Sequence, residues 1–87
     1  MSKSTIADVF GAVTDERQYQ VERWGTNDEH PHDVPAWLLI MERELAEAKE
    51  AWVIKGGDRE ALREIVQVVA VGVACLEQHG VVSRWAE

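Results

Sequence analysis

The chain has 87 residues, of which 46% are hydrophobic, with two prolines, one cysteine and a net charge of -7. That composition fits a single short helical domain over residues 1–87 rather than a disordered chain, at a size where one core supplies only about 3–5 kcal/mol and self-association is expected. The acidic balance excludes a nucleic-acid surface, because no Lys/Arg stripe exists to neutralise a row of phosphates. The longest apolar run, residues 68–76, is too short to cross a bilayer, so no membrane partner is expected. The lone Cys75 excludes an intramolecular disulfide, and no basic stretch leads into an apolar signal region, so a soluble cytoplasmic protein is expected.

Ile6, Val9, Phe10, Val13, Val21 and Trp24 recur at helical spacing over residues 6–24. Gly11 and the Thr14-Asp15 pair weaken the middle. Two arrangements fit: one helix, or a short turn followed by a helix capped by Thr14. After Val13 the apolar stripe runs into Arg17 and Gln20 before returning to Val21 and Trp24. Residues 25–35, GTNDEHPHDVP, read as a loop. Its His30 and His32 form a bare H-x-H, a weak metal signal. Asp33 or Val34 should cap the next helix, with Pro35 in its first turn, where the missing N–H costs least.

Long helix formers fill residues 35–54, the clearest helix of the chain. Its stripe of Trp37, Ile40, Met41, Ala48 and Ala51 has Glu44 near its middle and Glu47 at its edge, whereas Glu42, Arg43, Lys49 and Glu50 are assigned to a solvated outer face. Lys55-Gly56-Gly57-Asp58 should end the helix, with glycine as C-cap and Asp58 capping the next. The third helix, residues 59–79, begins charged and becomes almost wholly apolar from Val66 to Leu76, with Gly72 allowing close approach and Gly80 as its stop. A helix apolar all round must be covered all round, so it is expected at a subunit interface. Trp85 in the tail is expected to dock on the bundle or on a partner.

A carboxylate on an apolar face needs a cation or several donors. The third helix offers an answer to Glu44: Glu64 and Gln67 share a face, with Glu60 a turn before. Glu47 and Glu64 are roughly equidistant from the Gly56-Gly57 turn and should therefore meet. Converging carboxylates repel unless a divalent cation lies between them, and all-oxygen ligation selects Mg²⁺, or Mn²⁺, over Zn²⁺. Because Mg²⁺ shares its shell with substrate phosphates, such a site suits nucleotide chemistry.

Glu44-x-x-Glu47, sixteen intervening residues, then Glu64-x-x-Gln67 resembles the E-x-x-E…E-x-x-D signature of the MazG-like all-α nucleoside triphosphate pyrophosphohydrolases, which include dimeric dUTPases and dCTP pyrophosphatases. ERQYQVERWG, then His32, then ELAEAKEAW is similar to the family's first helix, loop histidine and E-x-x-E helix, and REALREIVQVVAVGVACLEQHG resembles small MazG-like proteins of phages and bacteria. The likeness covers residues 14–80. It implies an all-α helical hairpin or bundle that completes a four-helix core as a homodimer or homotetramer, and Mg²⁺-dependent hydrolysis of a (deoxy)nucleoside triphosphate to monophosphate and pyrophosphate. Residue by residue, Glu44, Glu47 and Glu64 match metal-binding carboxylates, and Gln67 stands where the family has aspartate. Glutamine ligates through a neutral oxygen and contributes no charge, so either metal affinity falls or Glu60 or Glu50 compensates. The Lys…Asn…Arg-Tyr-Pro tail with which many relatives hold phosphates is not among these residues.

The mechanism implied has Glu47 as the catalytic residue that orients or deprotonates water. Trp24 stacks on the base, with Arg17, Gln20 and His32 near base or phosphates. Lys55, Arg59 and Arg63, near the turn, hold phosphate oxygens. Two other functions fit the same residues: a degenerate nucleotide-binding protein without catalysis, explained by Gln67, and a helical dimerisation module in which Glu44 pairs with Arg59 or Arg63.

Overall fold

The chain folds, in a computed structural model that describes residues 3–86, into three helices with no strand among the described residues. The all-α class is as the periodicity predicts. Helix α1 is Ile6–Trp24, α2 is Val34–Glu50 and α3 is Asp58–His79, and a π-helical turn, Ala51–Gly56, joins the last two. No helix among the described residues is long and apolar enough to cross a membrane.

Of the two arrangements open for the first segment, one continuous helix forms. Thr5 caps it: its hydroxyl accepts from the Asp8 N–H at 3.1 Å, and the Asp8 carboxylate accepts from the Thr5 N–H at 3.1 Å, closing a capping box. Thr14 caps nothing and donates its hydroxyl to the Phe10 carbonyl within the helix. Asp33 caps α2 by accepting from the Ala36 N–H at 2.8 Å, with Pro35 in the first turn as expected.

The junction of α2 and α3 departs from the simple hairpin. The Gly57 N–H reaches back five residues to the Trp52 carbonyl, which widens the last turn. Asp58 does not cap α3, because its carboxylate accepts from the Trp52 indole N–H at 3.0 Å, and α3 starts without a side-chain cap. Gly57 adopts φ 76°, a backbone position that glycine fills at least cost.

Helix α3 is the centre of the molecule. It packs along α2 and along α1, whereas α1 and α2 do not approach each other. Ala70, Val71 and Ala74 are its buried residues, and Val71 and Ala74 pack with Trp37 of α2, with Ile40, Met41 and Cys75 closing around them. A Cβ at Gly72 would come within 3.3 Å of the Met41 methyl, so the space beside Gly72 is taken by the end of a flexible side chain. The core is thin: apart from Val13, Trp37 and Val71 every buried hydrophobic residue is an alanine. The radius of gyration of 14.0 Å exceeds the roughly 12 Å typical of this length, as three helices laid round an open trough require. Trp85 does not dock on the bundle; it is 84% exposed, with the Arg84 guanidinium over its ring. Of the tail, Glu87 lies outside the described residues.

Candidate active site

Because α1 and α2 flank α3 without meeting, a trough of about 230 Å³ lies between them over α3. Each wall is a set of residues one helical turn apart: Glu16, Gln20 and Trp24 from α1, Trp37, Ile40 and Glu44 from α2, and Gln67, Val71 and Ala74 from α3. The 25–33 loop closes the end near Trp24 and Trp37. Because α1 and α3 run towards the loop and α2 runs away from it, Glu16, Glu44 and Gln67 fall together at the other end.

The loop end is held by paired polar groups. Gln78 of α3 accepts through Oε1 from the His32 N–H at 3.2 Å and from the Trp37 indole N–H at 3.0 Å, and donates through Nε2 to the His32 carbonyl at 2.6 Å. The His32 ring stands edge-on to Trp37, 4.8 Å between centroids. On the opposite side Arg17 donates to Glu77 and to Asn27 Oδ1 at 3.2 Å, and Asn27 donates to the Ala74 carbonyl at 3.0 Å. Gly25, at φ 92°, lies under the His30 ring, where a Cβ would come within 2.9 Å of Cδ2. Trp24 lines this end but is 63% exposed, stacked edge-on with Tyr19 and under Arg23.

The acid end has the opposite character. Glu44, Glu47 and Glu64 each present a carboxylate oxygen, and the three atoms lie within 4.8 Å of one another. The expected meeting of Glu47 and Glu64 across the hairpin is therefore observed. Among the described residues none of the three accepts from a donor, and the ion pairs present are Arg17–Glu77 and Arg63–Glu60. The pairing of Glu44 with Arg59 or Arg63 required by a purely structural reading does not form. Desolvation, then the charge of Glu47, raises the Glu44 carboxyl above its ordinary 4.5, with Arg43 partly opposing and Glu64 adding to the rise.

The residues predicted from sequence divide accordingly. Arg17, Gln20, Trp24, His32, Glu44 and Gln67 line the trough, and Glu47 and Glu64 complete the carboxylate cluster at its end. Lys55 and Arg63 do not line it; Arg63 instead faces Glu60 at 3.7 Å. Nor do Glu50 and Glu60 belong to the cluster, so neither makes up for the neutral Gln67. Glu16 was not anticipated. It reaches the acid end from α1, where desolvation and then the charge of Glu64 raise its carboxyl. Its signal was its place three residues after the buried Val13, where a polar residue on an inward face calls for a partner. Arg43, assigned to the outer face, lines the trough beside Glu44.

The acid end fits a hard divalent cation. Three unpartnered oxygen donors from two helices converge, and a spread of 4.8 Å is within a side-chain adjustment of the separations set by metal–oxygen distances of about 2.0–2.6 Å for Mg²⁺ or Ca²⁺. No nitrogen or sulfur ligand is in the cluster, which disfavours Zn²⁺. Comparison with protein-family models, curated proteins and solved structures returns no match for this chain.

Proposed function

We propose that the chain is a divalent-metal-dependent nucleoside triphosphate pyrophosphohydrolase of the MazG-like type, cleaving a (deoxy)nucleoside triphosphate to monophosphate and pyrophosphate. One observation carries the reading: the carboxylates of Glu44, Glu47 and Glu64 converge, without protein partners, at the end of a trough whose far end holds Trp24, His32 and a ring of fixed polar groups. Glu44, Glu47 and Glu64 would hold Mg²⁺ or Mn²⁺, with the Gln67 carbonyl oxygen as a neutral further ligand. A cation held there would supply Lewis acidity to an attacking water and screen the phosphate charge.

The residues of the chain then divide the remaining work. Glu47, the most exposed carboxylate of the three, orients the water and accepts its proton. The water oxygen bonds to the α-phosphorus as the bond from that phosphorus to the bridging oxygen breaks, so pyrophosphate leaves with the electron pair. Trp24 offers a ring face to the base, and Gln20 has an uncommitted amide beside it. Arg17 positions rather than binds, since Glu77 and Asn27 already occupy it.

The same reading has the chain working in the cytoplasm as a homodimer or homotetramer. The thin core supports this, as do Leu62, Ile65, Val69 and Leu76 of α3, each left more than two-fifths exposed. Binding without turnover is the second reading, and it rests on Gln67, which supplies no charge where the resembled family has aspartate.

Pyrophosphate release from a panel of dNTPs and NTPs, with Mg²⁺ or Mn²⁺, decides between them. Turnover by the wild type and its loss by about two orders of magnitude or more in Glu47→Ala is the expected result. Nucleotide-dependent thermal stabilisation without turnover would favour the second reading, and no response to any nucleotide would overturn both.

A further inference from the structure

A polyphosphate entering the trough meets an end that already carries Glu16, Glu44, Glu47 and Glu64. Divalent ions reconcile some of that like charge, but phosphate oxygens turned away from the ions still need protein donors. The cations clustered at the helical turn, Lys55, Arg59 and Arg63, do not line the trough. Two arginines do. Arg17 is occupied by Glu77 and Asn27 and its side chain is only 12% exposed, so its guanidinium serves the fold.

Arg43 is different. It is exposed, and among the described residues its guanidinium makes no hydrogen bond and no ion pair, although it precedes Glu44 directly and lies four residues before Glu47. It stands six residues beyond Trp37, about 9 Å along α2 from the loop end. We infer that Arg43 is the phosphate-contacting cation of this trough, its guanidinium donating to the oxygens of a polyphosphate whose other side faces Glu44, Glu47 and Glu64. This inference rests on the reading of the site as one that takes a nucleoside triphosphate. Arginine suits the task, because its planar fork gives two parallel donors to one phosphate, whereas lysine offers a point charge.

The test is calorimetric titration of inorganic tripolyphosphate in the presence of Mg²⁺, and of Mg²⁺ alone, into wild type, Arg43→Gln and Arg43→Lys, with thermal melts of each protein. Arg43→Gln should fold as the wild type does and weaken tripolyphosphate binding by roughly tenfold or more, with Arg43→Lys between them. Mg²⁺ alone should bind Arg43→Gln as tightly as wild type or more tightly, since a cation beside the carboxylates has been removed. Equal tripolyphosphate affinity in Arg43→Gln and wild type would overturn the inference, as would a wild type that binds no tripolyphosphate with Mg²⁺. Weaker Mg²⁺ binding in Arg43→Gln would also overturn it, because Arg43 would then be ordering the carboxylates. Nucleotide turnover with an unchanged KM in Arg43→Gln would sink this assignment alone, whereas Arg43-dependent tripolyphosphate binding without turnover of any nucleotide would sink the hydrolase reading alone.

Discussion

The two ends of the trough are built from similar polar residues and are held in opposite ways. At the loop end, Gln78, Trp37, Asn27, Arg17, Glu77 and the main chain of His32 are hydrogen-bonded to one another or to nearby backbone. At the acid end, Glu16, Glu44, Glu47, Glu64 and Arg43 form no ion pair among the described residues, and the carboxylates raise one another's affinity for protons. Paired polar groups stabilise a structure; unpaired like charges destabilise it and persist where a ligand makes use of them. The contrast thus separates the residues that shape the trough from those that the proposed function puts to use.

Substitutions at the two ends should therefore move stability in opposite directions. The largest effect is expected from Trp37→Ala, which removes the one large side chain of the core and a partner of Gln78; a loss of about 3–4 kcal/mol in urea denaturation is predicted. Gln78→Ala gives up bonds to the His32 N–H, the His32 carbonyl and the Trp37 indole, and should cost about 2–3 kcal/mol. Asn27→Ala breaks the link between Arg17 and the Ala74 carbonyl, for about 1–2 kcal/mol. Glu44→Gln should instead raise the stability of the metal-free protein, by about 0.5 kcal/mol, the order of one like-charge pair on a helix. A loss on Glu44→Gln comparable to that of Asn27→Ala would abolish the distinction between the ends.

Acidity gives a subtler probe of the acid end. The carboxyls of Glu16 and Glu44 titrate above their ordinary 4.5 in the folded chain, so the fold holds protons there that the unfolded chain has released. Their contribution to stability is full below pH 4.5 and is lost as pH rises through the folded values. Metal-free wild type should accordingly lose stability over that window, in melts taken at successive pH values, and Glu16→Gln combined with Glu44→Gln should flatten the slope. Added Mg²⁺ should flatten it too, by stabilising the ionised carboxylates.

Much of this was legible in the amino acids. Helical periodicity, Asp33 before Pro35 and Gly80 after His79 placed α2 and α3, and equal distance from the turn brought Glu47 to Glu64. What escaped depends on how helices that are not joined by a short turn lie against each other. Glu16 reaches Glu64 only because α1 packs on α3 rather than on α2, and no spacing within α1 encodes that choice. Arg43 lies 100° round the helix from Glu44, outside a narrow stripe but within reach of a trough wide enough to separate two helices. Asp58 was a sound cap by type, and the indole of Trp52, six residues away, took its carboxylate.

The amide of Gln78 grips the main chain of residue 32 through both its N–H and its carbonyl, much as a neighbouring strand would. A grip on backbone does not depend on which side chain is present. The main chain at position 32 is therefore held from α3, by Gln78 and by the His79 ring nitrogen at 2.8 Å from the same carbonyl. A substitution there would change the wall of the trough beside Trp37 and leave the grip on the loop's main chain in place.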